Sequence, residues 1–308
     1  MFGRLETLSV DCMSTKQPRF RLGQWLRYCT SPTTIPSHTP EHLNSHHTPT
    51  TMGECHQDKF DPKTYFNYCY QFAAVPGQKD NSRFVSFVLC QLSKTFSTGK
   101  YRGQRLIEVG TGPTIHTLIS ACEYYDEIVV SDYVDSNRKE IEKWLKAEEG
   151  CFDWNAHLQY VCDLERKRTP AIITDTLRQR VKQVLKCDIC LENPFHPVTV
   201  PPADCVLSSL CLEAACKDRE SYRRSLSSMV DLLRSGGVLV LIGDLDETFY
   251  TVGEQRFDCV NLSEEFITET LSKLGLSVEE FTLQQAEDRD SNHKCDYAAS
   301  FHLIAIKH

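Results

Sequence analysis

The residues best suited to bind a ligand lie around two closely spaced glycines, Gly110 and Gly112. The apolar run at 105–109 predicts a buried parallel strand that ends in this glycine turn, where the backbone can approach a ligand closely. Pro113 follows at the point where a helix would begin, and proline is favoured at the first helical position. A strand, a glycine turn and a helix N-terminus favour a nucleotide cradle over an ordinary strand-to-helix turn.

Asp132 is a second candidate binding residue, because it ends the next predicted strand, 127–131. A carboxylate at this position can accept hydrogen bonds from both hydroxyls of a ribose. The alternative role is to cap the following helix, predicted at 137–148. Asp135 and Ser136 stand closer to that helix, so the ribose role is the better interpretation.

The glycine pattern departs from that of a dinucleotide site, which has a third glycine. That position here is Ile115, and Glu108 lies at the end of the strand. The resulting E-x-G-x-G pattern resembles the first motif of adenosylmethionine-dependent methyltransferases. We therefore expect S-adenosylmethionine rather than NAD in the cradle.

The composition predicts one catalytic domain with appendages. A chain of 308 residues, 41% hydrophobic, can bury a substantial core. Its net charge of −8 argues against a nucleic-acid binder, because neutralising phosphates requires clustered Lys and Arg. No segment approaches the run of about 18 apolar residues that a membrane span requires.

The 15 cysteines are odd in number and scattered through predicted helices and strands. This pattern favours reduced, buried thiols in the cytosol over a disulfide framework. Cys187 and Cys190 have the spacing of half a zinc site, but no matching pair follows, so we expect no metal.

Residues 1–55 are predicted to be a disordered extension, because 31–51 consist largely of Ser, Thr, Pro and His. A transit peptide is the alternative, and Glu6 and Asp11 disfavour it. The remaining residues, 56–308, are predicted to form the catalytic domain, with an N-terminal helical lid at about 60–97.

Helices and strands alternate along this domain. We predict helices from Phe60 and at 81–96, 114–125, 137–148, 174–186, 219–234 and 263–274, and strands at 105–109, 127–131, 158–162, 204–210, 238–242, 276–284 and 299–306. Such alternation predicts an α/β fold with a doubly wound, mostly parallel sheet covered on both faces. The last two strands have no helix between them, so we expect an antiparallel last strand in a seven-stranded sheet.

Several segments, in order, resemble one family. They are Phe60-Asp61-Pro62-x-x-Tyr65, Gly110-Thr111-Gly112-Pro113-Thr114, Ala121-Cys122-Glu123, Glu142-Lys143-Trp144-Leu145, Leu185-Lys186-Cys187-Asp188, Pro202-Ala203-Asp204-Cys205-Val206-Leu207-Ser208 and Gly253-Glu254-Gln255. They are similar to the nicotinamide, phenylethanolamine and indolethylamine N-methyltransferases. The resemblance implies a Rossmann-like class I methyltransferase that is a cytosolic monomer and methylates a small amine or pyridine nitrogen.

The resemblance also implies cofactor-binding residues. Tyr65 and Tyr70 would cover the cofactor, and Gly110, Thr111 and Gly112 would lie along its methionine portion. Thr114 would bind its carboxylate, Asp132 its ribose with assistance from Asn137, and Asp188 and Ile189 its adenine. The family usually has Tyr where this chain has His116, whose imidazole can still donate to a carboxylate.

The acceptor site departs from the nicotinamide branch, which carries an acid where this chain has Gly243 and serines where it has Glu247 and Cys259. Glu213 and Glu247 instead match two glutamates of the phenylethanolamine branch. That match is incomplete, because a lysine of the branch aligns with Val88 and its C-terminal Asp aligns only approximately with Asp296.

We therefore predict a phenylethanolamine- or arylalkylamine-type acceptor. Glu213 would be the main amine anchor and proton acceptor, Glu247 would support it, and Tyr65, Tyr70 and Tyr250 would exclude water. Nicotinamide or another pyridine is the alternative acceptor. A non-catalytic protein that only binds the cofactor is a further alternative, disfavoured by the intact Asp132, Asp188 and glycines.

Overall fold

The computed structural model describes residues 52–70, 82–287 and 294–308. Its helices are α1 (Met52–Lys59), α2 (Pro62–Cys69), α3 (Ser82–Ser97), α4 (Asp135–Leu145), α5 (Asn155–Glu165), α6 (Pro170–Arg180), α7 (Leu212–Ala215), α8 (Arg219–Asp231) and α9 (Glu264–Lys273). Its strands are β1 (Gly103–Val109), β2 (Tyr125–Asp132), β3 (Val181–Lys186), β4 (Ala203–Ser209), β5 (Leu233–Leu245), β6 (Phe249–Val252), β7 (Gln255–Asp258), β8 (Leu276–Gln285) and β9 (Ala299–Lys307).

Within these ranges, seven strands form one sheet in the order β3-β2-β1-β4-β5-β9-β8. The strands from β3 to β5 pair in parallel, whereas β9 is antiparallel to both β5 and β8. The predicted fold class is therefore confirmed, including the antiparallel last strand. The chain order reverses between β1 and β4, and a crevice at such a point is the usual ligand site of an open α/β sheet.

Apolar side chains cover both faces of the sheet. Along β1, Leu106 packs into one buried cluster and Ile107 into the other, because successive side chains of a strand point to opposite faces. Neither residue is exposed to solvent. Burial on both faces explains why the central strands are continuously apolar in sequence.

Two predicted elements were of the wrong type. The segment predicted as a strand at 158–162 is the middle of α5, whose buried residues Leu158, Val161 and Cys162 follow helical spacing. The helix predicted at 174–186 is α6 followed by β3, because the pairing of β3 with β2 overrides the helical pattern of its residues.

The predicted helix at 114–125 was also wrong, since two short 3₁₀ turns, His116–Leu118 and Ala121–Glu123, occupy it. Side chains in this segment form local bonds that compete with a regular helix. The hydroxyl of Thr114 donates to the carbonyl of Thr111 at 2.9 Å, and that of Thr117 donates to Glu108.

Helix α1, the short helix α7 and a hairpin were not predicted. Helix α1 begins at Met52, so the last four residues of the predicted extension, 52–55, are helical. The rest of the extension lies outside the described residues. An antiparallel hairpin, β6 and β7, follows the sheet strand β5. None of the described helices is long and apolar enough to cross a membrane.

Candidate functional site

A cavity of about 300 Å³ lies at the carboxyl ends of β1, β2 and β4. Residues of α1, α2 and β6 also line it. A volume of this size suits a small-molecule site. The predicted lid at 60–97 is therefore only part of the cover, because α1 and the hairpin also contribute.

The glycine turn forms one wall of the cavity. Gly110 and Gly112 have φ angles of +73° and +61°, a region that favours glycine. A Cβ on Gly110 would collide with Sγ of Cys211, whereas the space beside Gly112 is open. The turn thus needs glycine at both positions and leaves room for a ligand at the second.

The Asp132 carboxyl is fixed at the end of β2 next to this turn. It accepts hydrogen bonds from the main-chain N–H of Gly112 at 2.8 Å, from that of Val134 at 2.8 Å and from Nδ2 of Asn137 at 3.0 Å. Val134, not Asp132, is the N-cap of α4, so Asp132 is not the helix cap that was its alternative role. Burial raises the pKa of Asp132.

Glu108 also lines the cavity, although no role in binding was predicted for it. It accepts hydrogen bonds from the hydroxyls of Thr111, at 2.8 Å, and of Thr117. Burial raises its pKa to about 7. The two threonines therefore hold this carboxyl in place beside the turn.

Aromatic side chains form the next part of the wall. The rings of Tyr65 and Tyr70 meet edge to face at 5.3 Å, and Tyr70 lies 4.7 Å from the His116 ring. Burial lowers the pKa of His116 to about 3, so its imidazole is neutral at physiological pH. Neither of its ring nitrogens has a hydrogen-bond partner among the described residues. Thr114 lies beside it in the same wall.

Asp188 and Ile189 line the far side of the cavity, just after β3. The main-chain N–H of Asp188 donates to the carbonyl of Pro194 at 2.8 Å, and its carboxyl accepts from the N–H of Cys190 at 3.0 Å. These bonds hold the segment that was predicted to contact adenine.

Three buried acids gather at the opposite end of the cavity. Glu213 on α7, Asp244 on β5 and Glu247 after β5 are exposed by only 4%, 6% and 5%. Burial raises the pKa of Glu213 to about 8 and that of Asp244 to about 7, and raises that of Glu247 well above its usual value. No Lys or Arg in the described part of the chain offsets these shifts. Asp244 was not predicted as a site residue, because its position is unspecified in the family pattern that contains Glu247.

The surroundings of Gly243 explain why position 243 contributes no side chain to this end of the cavity. A Cβ on Gly243 would lie 2.8 Å from Oε1 of Glu213 and 2.7 Å from the Phe301 ring. Such contacts are too close for real atoms, so Glu213 occupies the space that a side chain at position 243 would need.

Tyr250 on β6 also lines this end of the cavity. Its hydroxyl lies 2.8 Å from Nε2 of His56 on α1, a residue that was not predicted to belong to the site. The ring of Tyr250 stacks on Phe257 of β7 at 5.2 Å. The hairpin thus carries Tyr250, and α1 holds its hydroxyl in place.

Asp296 does not line the cavity. Its carboxyl accepts hydrogen bonds from the main-chain N–H of Thr248 at 2.7 Å and from the hydroxyl of Thr248 at 2.6 Å. These bonds hold the start of the hairpin, and the contact of Asp296 with the acceptor stays a prediction. Val88 is a core residue of α3.

The family model described as the NNMT/PNMT/TEMT family matches residues 48–308. The chain belongs to this family. Its relatives include human nicotinamide N-methyltransferase, 42% identical over 75% of this chain and 87% of the relative, and rabbit indolethylamine N-methyltransferase, 41% identical over the same shares. Pig phenylethanolamine N-methyltransferase is 40% identical over 71% of this chain and 78% of the relative.

A solved structure, the magnesium protoporphyrin IX methyltransferase of Synechocystis PCC 6803 with bound SAH, is similar with a TM-score of 0.51. It covers 83% of this chain and 100% of its own, at 12% identity. This likeness is to the fold alone.

Membership of the NNMT/PNMT/TEMT family makes the chain an N-methyltransferase, and its cofactor is S-adenosylmethionine, as predicted. The cavity fits such a polar group, because it is open beside Gly112 and has buried polar atoms without partners in the described residues. Among these atoms are both ring nitrogens of His116, Oδ1 of Asn137 and Oε1 of Glu213. Within the same residues, no group of three His, Cys, Asp or Glu side chains could hold a metal ion.

Proposed function

We propose that this N-methyltransferase methylates the nitrogen of a small phenylethanolamine- or arylalkylamine-type acceptor. The observation that carries the proposal is the pair of buried carboxyls, Glu213 and Glu247, in the cavity of a methyltransferase. An ammonium group is the natural partner of such carboxyls, because charge-assisted hydrogen bonds are the strong ones.

The aromatic side chains over the cavity favour an acceptor that contains an apolar ring. The His56, Tyr250 and Phe257 rings lie within stacking distance of one another, with Phe257 4.5 Å from His56 and 5.2 Å from Tyr250. An apolar ring would pack against such a wall, while the carboxyls would orient the amine.

Proton transfer is the chemical task of the protein in this reaction. The bound cofactor supplies an electrophilic methyl group, and an amine can attack it only after losing its proton. Glu213 suits this step because its pKa, raised by burial to about 8, is close to the working pH, which favours a general base. Glu247, whose pKa is also raised by burial, would share the charge of the incoming ammonium.

The remaining residues would bind and shield the reactants. In this proposal the methionine portion lies along Gly110, Thr111 and Gly112, with Thr114 and His116 at its carboxylate. Asp132 and Asn137 hold the ribose, and Asp188 and Ile189 contact adenine. Tyr65, Tyr70 and Tyr250 close the cavity, and the alignment of the two reactants supplies most of the acceleration.

A pyridine acceptor such as nicotinamide is the second candidate. Overall identity does not separate the branches, since the human nicotinamide enzyme is 42% identical and the pig phenylethanolamine enzyme 40%. A pyridine nitrogen is already neutral and needs no base, so it would leave Glu213 and Glu247 without a cationic partner. The buried carboxyls therefore favour the amine.

We also propose that the enzyme works as a monomer in the reducing cytosol. All 13 cysteines of the described residues are free thiols, and five of them are buried. Free buried thiols behave as small apolar side chains, which suits a reducing compartment.

The test is to assay the purified full chain with labelled S-adenosylmethionine against phenylethanolamine, tryptamine and nicotinamide. We expect turnover of at least one arylalkylamine that exceeds turnover of nicotinamide. Robust methylation of nicotinamide with none of the amines would assign the chain to the pyridine branch. Cofactor binding without any methylation of these acceptors would instead favour a non-catalytic binding protein.

A further inference from the structure

Asp244 is a third carboxyl in the acceptor end of the cavity, beyond the two assigned to the reacting amine. It lies on β5, is 6% exposed and lines the same cavity as Glu213 and Glu247. Its Oδ1 accepts a hydrogen bond from the hydroxyl of Ser300 on β9 at 2.6 Å. This bond fixes the position of the carboxyl.

The three carboxyls have no positive partner in the part of the chain that the structure describes. Burial raises the pKa of each, Asp244 raises that of Glu213, and Asp244 and Glu213 both raise that of Glu247. Within these residues, Oε1 of Glu213 also has no hydrogen-bond donor. A buried carboxyl without a partner is costly, so this end of the cavity is built for a positively charged ligand.

The three carboxyls lie close to one another in the cavity wall, since each of them raises the pKa of the Cys259 thiol. Asp244 also raises the pKa of Tyr70, and Asp244 and Glu247 together raise that of Tyr297. Glu247 is hydrogen-bonded to Cys259. Lys294, which also lines the cavity, lies over the Tyr68 ring.

A single ammonium group carries one positive charge, whereas three carboxyls line this end of the cavity. We propose that the acceptor carries a second cationic nitrogen and that Asp244 binds it, while Glu213 and Glu247 bind the amine that is methylated. The substrate class is then a small aromatic diamine rather than a monoamine. This inference rests on the proposed function, because it concerns the same acceptor site.

The experiment compares phenylethylamine with its meta- and para-aminomethyl analogues, which add one ammonium group to the same skeleton. We expect kcat/KM to be at least about tenfold higher for one diamine than for phenylethylamine, the scale of one added charged hydrogen bond. Asp244→Asn should remove about tenfold from the diamine and less than about threefold from the monoamine. Asparagine keeps an oxygen that can accept the hydrogen bond from Ser300. Asp244→Ala is the second variant, and it should lose the preference for the diamine to the same extent.

Asp258→Asn is the matched control, because Asp258 lies on the hairpin strand β7 with an exposed side chain, outside the cavity lining. The ratio of kcat/KM for the diamine to kcat/KM for phenylethylamine should be the same in Asp258→Asn as in the wild type. Calorimetry in buffers of different ionisation enthalpy gives a second readout on the complex with S-adenosylhomocysteine. The diamine should release more protons than the monoamine from the wild type, because it ionises more carboxyls, and Asp244→Asn should reduce this difference.

Three results would overturn the inference. The first is a kcat/KM for the monoamine that equals or exceeds that of both diamines, and the second is an equal loss on both substrates in Asp244→Asn, which would make Asp244 a general pocket residue. In these two cases the arylalkylamine proposal would stand, because the monoamine is methylated. Methylation of neither amine would overturn the proposed function as well, so the two failures are distinguishable.

Discussion

Nε2 of His56 lies 2.8 Å from the hydroxyl of Tyr250 and joins the first described helix to the hairpin over the cavity. Nδ1 of His56 lies 2.8 Å from the carbonyl of Met52, which can only accept, so Nδ1 carries the proton. Burial lowers the pKa of His56 and raises that of Tyr250. The neutral imidazole therefore accepts a hydrogen bond from the tyrosine hydroxyl.

This bond predicts where the chain can be shortened. A protein that starts at Met52 should keep the melting temperature, kcat and KM of the full chain, because α1 and His56 remain. A protein that starts at Phe60 should raise the KM for the acceptor by about tenfold, since it loses His56 and one side of the cover. Thermal melting and steady-state kinetics measure both. Lost cofactor binding or a lower melting temperature in the Met52 protein would show that the preceding residues stabilise the domain.

Glu213→Gln should lower kcat/KM for phenylethanolamine-like amines by about 10²-fold, the typical loss on removing a general base. Glutamine keeps the shape of the side chain but cannot accept the proton of the ammonium. Any activity on nicotinamide should change little, because a pyridine nitrogen brings no proton. Glu220→Gln on the surface of α8 is the control. Equal losses on both substrates would mean that Glu213 shapes the cavity and does not recognise charge.

Asp132→Ala should weaken S-adenosylmethionine binding by about 1–3 kcal/mol, the range for a lost hydrogen bond to a charged group. Isothermal titration calorimetry measures the dissociation constant directly. Asp126→Ala is a matched control on the same strand, because Asp126 is exposed and pairs with Arg180 at 2.5 Å. An affinity unchanged in Asp132→Ala would remove this carboxyl from the cofactor site.

The raised pKa of Glu213, about 8 against an ordinary 4.5, predicts a dependence of stability on pH. Between these two values the folded protein holds a proton that the unfolded chain has released, so stability falls as pH rises through this window. Glu213→Gln should therefore be more stable than the wild type at about pH 9, by a few kcal/mol, and nearly equal to it at about pH 4. Urea unfolding without an acceptor measures the difference. A stability difference that does not vary with pH would indicate that Glu213 titrates normally.

Local signals in the sequence were sufficient to predict several residues that line the cavity. Gly110, Gly112 and Asp132 lie near each other along the chain, and the end of one strand followed by a glycine turn has few structural alternatives. For the same reason the parallel strands β1, β2, β4 and β5 were predicted close to their observed positions. The antiparallel β9 followed from the lack of an intervening helix.

Short apolar segments were harder to assign. A run of a few apolar residues fits a strand and a buried helix equally well, which explains the error at α5. The edge strand β3 has a mixed pattern, with Lys182 and Gln183 exposed, so only its pairing with β2 defines it.

The sequence by itself determined the methyltransferase family, most strands of the sheet and the glycine turn, because these depend on patterns within short segments. Only the tertiary structure brought together His56 and Tyr250, which are separated by 194 positions, and only it placed Asp244 beside Glu213. It also showed that Asp296 bonds to Thr248 at the start of the hairpin. The physical reason is that side-chain direction and burial depend on how distant segments pack, and the residue types alone do not encode that packing.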